Sequence, residues 1–245
     1  LNDERKALTE KGVQEAVEQI EGSGLKDDRV LVVYLPDCHE SLAGIIAGRI
    51  RERYYRPVFI LTKGEEAVKG SGRSIESYSM FEEMSRGREL FLKYGGHPMA
   101  AGLSISEELV EEFRRRINEG CTLTEADLTE VIHIDMVLQF THVTERLTGE
   151  LELLEPFGKG NTKPVFAARN VAVLESRVFG KNQNVLRMKL MDESGTVREG
   201  IYFSSCMEEA LAELKEKKQL HMIYYPEIDE FRGRRRLQLR VLNYC

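Results

Sequence analysis

Val30-Leu31-Val32-Val33-Tyr34-Leu35 is the stretch on which the fold turns. A short unbroken apolar run of this kind predicts a strand buried on both faces, which requires a sheet with helices on either side. Upstream, residues 3–21 place Val13, Ala16, Val17 and Ile20 at helical spacing, and Gly22-Ser23-Gly24 ends the pattern. Downstream, Ser41 is the expected cap of a helix whose Leu42, Ile45, Ile46 and Ile50 form one stripe, with Arg49, Arg51 and Arg53 facing elsewhere. Pro57-Val58-Phe59-Ile60-Leu61 reads as another buried strand. The order strand, helix, strand implies a right-handed crossover and a parallel pair.

Beyond this unit, residues 67–75 read as extended, residues 80–94 as mainly helical and residues 100–105 as a short strand. A helix follows with Leu109, Val110, Phe113 and Ile117 on its apolar side, Ser106 as its expected cap and Gly120 as its stop. Two glycine motifs, one near residue 70 and one near residue 95, thereby fall at element ends, where ligands of open α/β sheets bind.

From Pro164 the pattern changes to alternation. Leu186, Met188 and Leu190 alternate with Arg187 and Lys189, and Leu237, Leu239 and Val241 alternate with Arg236, Gln238 and Arg240. Each such strand has one apolar and one basic face. Turns are signalled at Gly180-Lys181-Asn182, Asp192-Glu193-Ser194-Gly195 and Arg232-Gly233-Arg234. A helix with Met207, Ala210, Leu211 and Leu214 on one stripe lies between the third and fourth strands. About five strands with a helix after the third is the order of an OB-fold barrel, a platform for single-stranded nucleic acid. Phe179, Tyr202, Phe203, Tyr224, Tyr225 and Phe231 are available to stack bases, although most aromatics of a small barrel fill its interior. The predicted architecture is an α/β domain over residues 1–120, then an all-β OB-fold barrel over residues 121–245 that includes an acidic connector, 121–160.

Composition bounds the class. The 245 residues, 42% hydrophobic and 31% charged, suit two modest globular domains. No apolar run approaches the roughly 18 residues of a membrane span, and Leu1-Asn2-Asp3-Glu4-Arg5 lacks the layout of a signal peptide, so a cytoplasmic location and no membrane partner are expected. Cys38, Cys121, Cys206 and Cys245 are widely separated and form no zinc-like cluster, which predicts reduced thiols and no metal site. The chain opens without methionine, as a piece of a longer protein would. The net charge of −6 hides an asymmetry: residues 156–245 hold 16 basic and 11 acidic side chains, whereas residues 121–155 hold 1 and 8. The last segment is the expected polyanion-facing module.

The glycine motifs carry the candidate chemistry. Lys69-Gly70-Ser71-Gly72-Arg73-Ser74 offers a guanidinium fork and hydroxyls on a bare backbone, and Tyr94-Gly95-Gly96-His97-Pro98-Met99-Ala100-Ala101-Gly102 puts an imidazole directly after two glycines. Together they suit a nucleic-acid phosphate. In the +5 module Arg187, Lys189, Arg232, Arg234, Arg236 and Arg240 are candidate nucleic-acid contacts. His133, His142 and His221 have no partner at ligand spacing and are assigned nothing.

These fragments resemble a known family. Residues 30–119, through Gly70-Ser71-Gly72-Arg73-Ser74 and Gly95-Gly96-His97-Pro98-Met99-Ala100-Ala101-Gly102, are similar to the DHH-associated domain of the DHH phosphoesterases. Leu153-Leu154-Glu155-Pro156-Phe157-Gly158-Lys159-Gly160-Asn161, followed by Pro164-Val165-Phe166, looks like the entry to the OB domain of the RecJ single-strand-specific 5′→3′ DNA exonucleases. The family usually opens the helix after the first strand with tryptophan-histidine-x-glycine. Here Cys38-His39-Glu40-Ser41 keeps only the histidine.

The resemblance implies the C-terminal part of such an enzyme, acting in DNA repair and recombination. Manganese or magnesium would be held by an N-terminal DHH domain, since no Asp-His-His run or Asp-x-Asp cluster occurs in these residues. It implies that Arg73 grips a phosphate, Ser71 and Ser74 add hydrogen bonds, Gly72, Gly95 and Gly96 allow close approach, and Lys69 contributes charge. His97 would stabilise the transition state. Expected partners are single-stranded DNA, the DHH domain of the same polypeptide and a helicase or single-strand-binding protein. The chain alone is expected to hydrolyse nothing. The alternatives are a non-catalytic single-strand-binding module and an oligonucleotide or cyclic-dinucleotide phosphodiesterase of the same superfamily.

Overall fold

The computed structural model describes residues 2–245 except 159, 181, 182, 205, 206, 218 and 232. It divides into two compact units, Leu1–Val131 and Ile132–Cys245.

The first unit runs α1 (Asn2–Glu21), β1 (Leu31–Tyr34), α2 (Glu40–Tyr54), β2 (Val58–Lys63), β3 (Val68–Arg73), α3 (Met80–Arg86), β4 (Phe91–His97), β5 (Ala100–Ile105) and α4 (Val110–Glu119). Its sheet has the order β1-β2-β3-β5-β4. β1 and β2 are parallel, with Leu31 opposite Val58 and Val33 opposite Ile60, as the crossover requires; the remaining pairs are antiparallel. The unbroken apolar run has a direct cause in the two layers. Leu31, Val33, Val58 and Ile60 pack with α1 and α2, whereas Val30, Val32, Phe59 and Leu61 pack in a separate cluster with Met80, Met84, Phe113 and Ile117 from α3 and α4.

Three local expectations are corrected. α2 is capped by His39, not Ser41: the His39 Nδ1 accepts the Ser41 N–H at 3.2 Å and lies 2.8 Å from the Ser41 hydroxyl, so an imidazole nitrogen does the work of a cap oxygen. Ser106 makes no side-chain cap, and α4 is entered instead through a 3₁₀ turn at Glu107–Leu109. The expected helix over 80–94 stops at Arg86, and Phe91–His97 is an edge strand. Gly87 ends the helix; beyond it Phe91 and Tyr94 turn to the core, with Phe91 packing edge-on to Phe113 at 5.2 Å, and a register shift between Phe91 and Lys93 absorbs Leu92.

The second unit runs β6 (Met136–Val137), α5 (Glu145–Glu152), β7 (Phe166–Phe179), β8 (Val185–Met191), β9 (Val197–Phe203), α6 (Met207–Glu216), β10 (Leu220–Phe231) and β11 (Arg234–Tyr244). The order β10-β11-β9-β8-β7 closes through a β10–β7 pairing, and β11 runs parallel to β9, giving the five-stranded OB barrel with its helix after the third long strand. Leu186, Met188, Leu190, Leu239 and Val241 point inward at 0–3% exposure, which is why their basic neighbours point out.

The acidic segment is more than a connector. Phe140 and Val143 are wholly buried, and the Phe140 ring meets Tyr224 edge-on at 5.7 Å. The Phe140 N–H donates to the Asp192 carboxylate at 2.6 Å, and the Tyr224 hydroxyl donates to the Leu138 carbonyl at 2.7 Å. Burying a side chain of this size contributes about 1.5–3 kcal/mol. The segment is therefore part of the barrel's core. Cys38, Cys121 and Cys245 are free thiols, and Cys206 lies outside the described residues. Among the described residues no helix is long and apolar enough to cross a membrane.

Candidate nucleic-acid interface

The glycine motifs run to the C-terminal ends of β3 and β4, with Arg73 and His97 the last residues of those strands, at element ends as expected. β5 is sandwiched between β3 and β4, and three rows cross it: Lys69–Ser104–Lys93, Ser71–Gly102–Gly95 and Arg73–Ala100–His97. Residues paired across antiparallel strands project from the same side, and alternation along β3 puts Lys69, Ser71 and Arg73 together. One face therefore collects Lys69, Ser71, Arg73, Lys93, Gly95 and His97. With strands about 4.8 Å apart, Arg73 and His97 stand roughly 10 Å from each other, and only the Ala100 methyl lies between.

The opposite face is core, and the glycines divide accordingly. A Cβ on Gly70 would lie 2.5 Å from Leu61 Cδ2, and one on Gly72 would lie 2.6 Å from Met80 Sδ and 2.8 Å from Phe59 Cε1. Gly72, expected at the ligand, is buried and is glycine for packing. Gly96 adopts φ +153°, and a Cβ there would run into the Ala100 carbonyl oxygen and approach the Ala101 Cα to 2.6 Å, so the β4–β5 hairpin demands it. Gly95 has nothing within 4 Å of its absent Cβ. It alone of these four leaves open space on the basic face.

Ser74 also departs from its expected role. It is 1% exposed and its hydroxyl donates to the Tyr78 carbonyl at 2.6 Å. Its N–H donates to Met99 O and the Met80 N–H to Pro98 O, both at 3.0 Å, which fixes the hairpin tip next to His97. Ser74 thus positions the site and does not face it. Arg73 is half-buried, with Nη1 donating to the Gly72 carbonyl at 2.8 Å, and Lys69 Nζ donates to the Ser104 hydroxyl at 3.1 Å.

Gly44 of α2 escaped sequence reasoning. A Cβ there would lie 2.9 Å from Arg73 Nη2 and 3.5 Å from Ser71 Oγ, so its bareness makes room for both groups. The available signal was a glycine inside a helix, where it costs about 1 kcal/mol relative to alanine and needs a reason.

On the barrel, Arg240 Cζ sits 3.7 Å over the Phe203 ring and Arg187 Cζ 4.6 Å over the Phe179 ring. Lys189 is paired with Glu175 at 2.9 Å, a bond that raises its pKa, and Arg236 is exposed in register with Asp229. Carboxylates thus temper both. Arg232 lies outside the described residues, as do the side chains of Arg234 and Phe231. Tyr224 and Tyr225 are core, and Tyr202 packs on Tyr244 at 5.2 Å. Among the described residues no group of three or more His, Cys, Asp or Glu is placed to hold a metal ion.

A basic sheet face in the first unit and an OB barrel in the second define the class: a DHH-associated domain joined to an OB-fold barrel. Residues 27–122 match the DHHA1 domain model and residues 134–243 the RecJ OB domain model. The chain belongs to the RecJ family, of which it carries these two domains. It is 32% identical to the single-stranded-DNA-specific exonuclease RecJ of Bacillus subtilis over 98% of its length, 35% identical to that of Haemophilus influenzae over 86% and 33% identical to that of Escherichia coli over 99%. It spans 31%, 38% and 43% of those relatives. The fold is shared with crystal structures of Thermus thermophilus RecJ in complex with Mg2+ and with Mn2+, at TM-scores of 0.78 and 0.76, 24% identity, and coverage of 99% and 100% of this chain and 36% and 34% of theirs.

Proposed function

We propose that this chain is the strand-holding portion of a RecJ-type 5′→3′ single-stranded-DNA exonuclease that acts in DNA repair and recombination in the cytoplasm. The observation that carries this reading is the row Arg73–Ala100–His97 beside Ser71 and Lys69, where α2 meets Arg73 and Ser71 at Gly44 and where Gly95 and Gly102 carry no side chain. Arg73 grips a phosphate through its fork, Ser71 and Lys69 add a hydrogen bond and charge, Gly95 admits the backbone, and His97 donates to a phosphate oxygen as negative charge develops. Arg187, Arg236 and Arg240 hold the strand on the barrel, with Lys189, Arg232 and Arg234 as further contacts. Hydrolysis needs manganese or magnesium held by a DHH domain of the same polypeptide. A helicase or single-strand-binding protein supplies the strand.

The test has two arms. The chain alone should bind single strands with an affinity that falls with salt at a log-log slope of a few phosphates, and should cleave nothing. A polypeptide that joins it to a DHH domain should digest 5′-phosphorylated single strands with manganese and lose more cleavage than binding on His97→Ala. An inert joined protein would favour the non-catalytic binding module. Cleavage confined to dinucleotides would favour the oligonucleotide or cyclic-dinucleotide phosphodiesterase.

A further inference from the structure

Two rows of side chains cross the outside of the barrel. Because Leu186, Met188 and Leu190 fill the interior, Val185, Arg187 and Lys189 of β8 project from the other side, and their register partners share that side, with Ile201 covered there at 6% exposure. Val185 is paired with Phe179 on one side and Phe203 on the other, which makes an apolar row of three. The neighbouring row is Arg177–Arg187–Ile201–Arg240. The rows are joined by the two stacks already described, since Arg187 lies over Phe179 and Arg240 over Phe203. Neither row contains a carboxylate.

This surface is poorly explained as packing. Phe203 is 44% exposed and Leu242, two residues along β11 from Arg240, is 43% exposed. The Nε of Arg187 is buried and has no hydrogen-bond partner among the described residues. A guanidinium stacked on a ring shows a second flat face outward while its edge N–H groups remain free to donate. Flat face and donating edge suit a base and its phosphate respectively.

We propose that Arg240–Phe203 and Arg187–Phe179 are the two base-stacking units of the barrel, each taking one base of a single strand on its planar surface and one phosphate on its guanidinium edge. The assignment rests on the single-strand reading above and names where that strand's bases go.

The experiment measures binding of the 245-residue chain to an oligothymidine of about twelve nucleotides and to a base-free strand of equal length. The unmodified chain should prefer the base-bearing strand by roughly tenfold. Arg240→Lys keeps the charge and removes the plane, so it should cut that preference several-fold while leaving the salt slope unchanged. Phe203→Leu keeps apolar volume without a ring and should do the same, and thermal melting of both variants verifies their fold. Equal binding of the two strands by the unmodified chain, or a preference untouched in both variants, overturns the stacking assignment alone. Failure to bind either strand overturns the single-strand reading and this assignment with it.

Discussion

Arg73 and His97 stand on the same side of the sheet, each in register with Ala100 on the strand between them. Ala100→Glu would put a carboxylate into that gap. Affinity for a 5′-phosphorylated oligonucleotide should fall at least tenfold through like-charge repulsion, while the unfolding midpoint moves by only about 0.5 kcal/mol, as for other surface changes. Titration calorimetry and urea unfolding check the two halves, and equal affinity would remove the phosphate from this row.

Gly44 offers a separation of stability from binding. Gly44→Ala should raise helix stability by up to about 1 kcal/mol, because the group it meets is the movable end of Arg73. Displacing that guanidinium should weaken phosphate binding several-fold. A variant that melts higher and binds worse is the expected result; unchanged binding would show that Arg73 does not need its place beside α2.

Adjacent glycines on β4 should respond differently to alanine. Gly96→Ala drives a Cβ into the backbone of β5 at a φ that side chains rarely adopt, so the first unit should lose about 2–4 kcal/mol. Gly95→Ala meets nothing within 4 Å and should leave stability unchanged while narrowing the basic face. Denaturant midpoints of the pair, with oligonucleotide affinity for Gly95→Ala, test the division of labour.

Alkali should loosen both units over one window. Burial, aided by a 2.7 Å hydrogen bond to Glu21, pushes the Tyr54 hydroxyl up to about 12, and burial, aided by Tyr202 and Glu213, does the same for Tyr244. An unfolded tyrosine ionises near 10. Above about pH 10 the unfolded chain therefore sheds protons that the folded chain keeps, so stability is full below that pH and falls as pH rises through 12. Unfolding midpoints should decline as tyrosinate absorbance rises, and Tyr54→Phe should flatten the decline in the first unit.

Much of this architecture was legible in the sequence. The Val30–Leu35 run and the alternation at Leu186–Leu190 each report a burial pattern set by immediate neighbours, so periodicity alone places them. β4 was not legible, because Phe91 and Tyr94 are three apart as on a helix face, and only pairing with β5 and the slip at Leu92 make them share the core side. His39 displaced Ser41 as the cap because the choice depends on where an imidazole nitrogen points. Phe140 looked like part of a linker since its partners, Asp192 and Tyr224, lie 52 and 84 residues away along the chain. The candidate site was marked out by its residue types, but its sidedness was hidden: Gly95 on the basic face and Gly72 and Ser74 in the core are indistinguishable until registers are known.

Along the middle of that basic face, Gly95, Ala100 and Gly102 present nothing longer than a methyl group. On the proposed reading, these three positions offer no side-chain donor or acceptor to a base edge. If the proposed strand lies here, indifference to sequence along this strip follows from the side chains the sheet does not have.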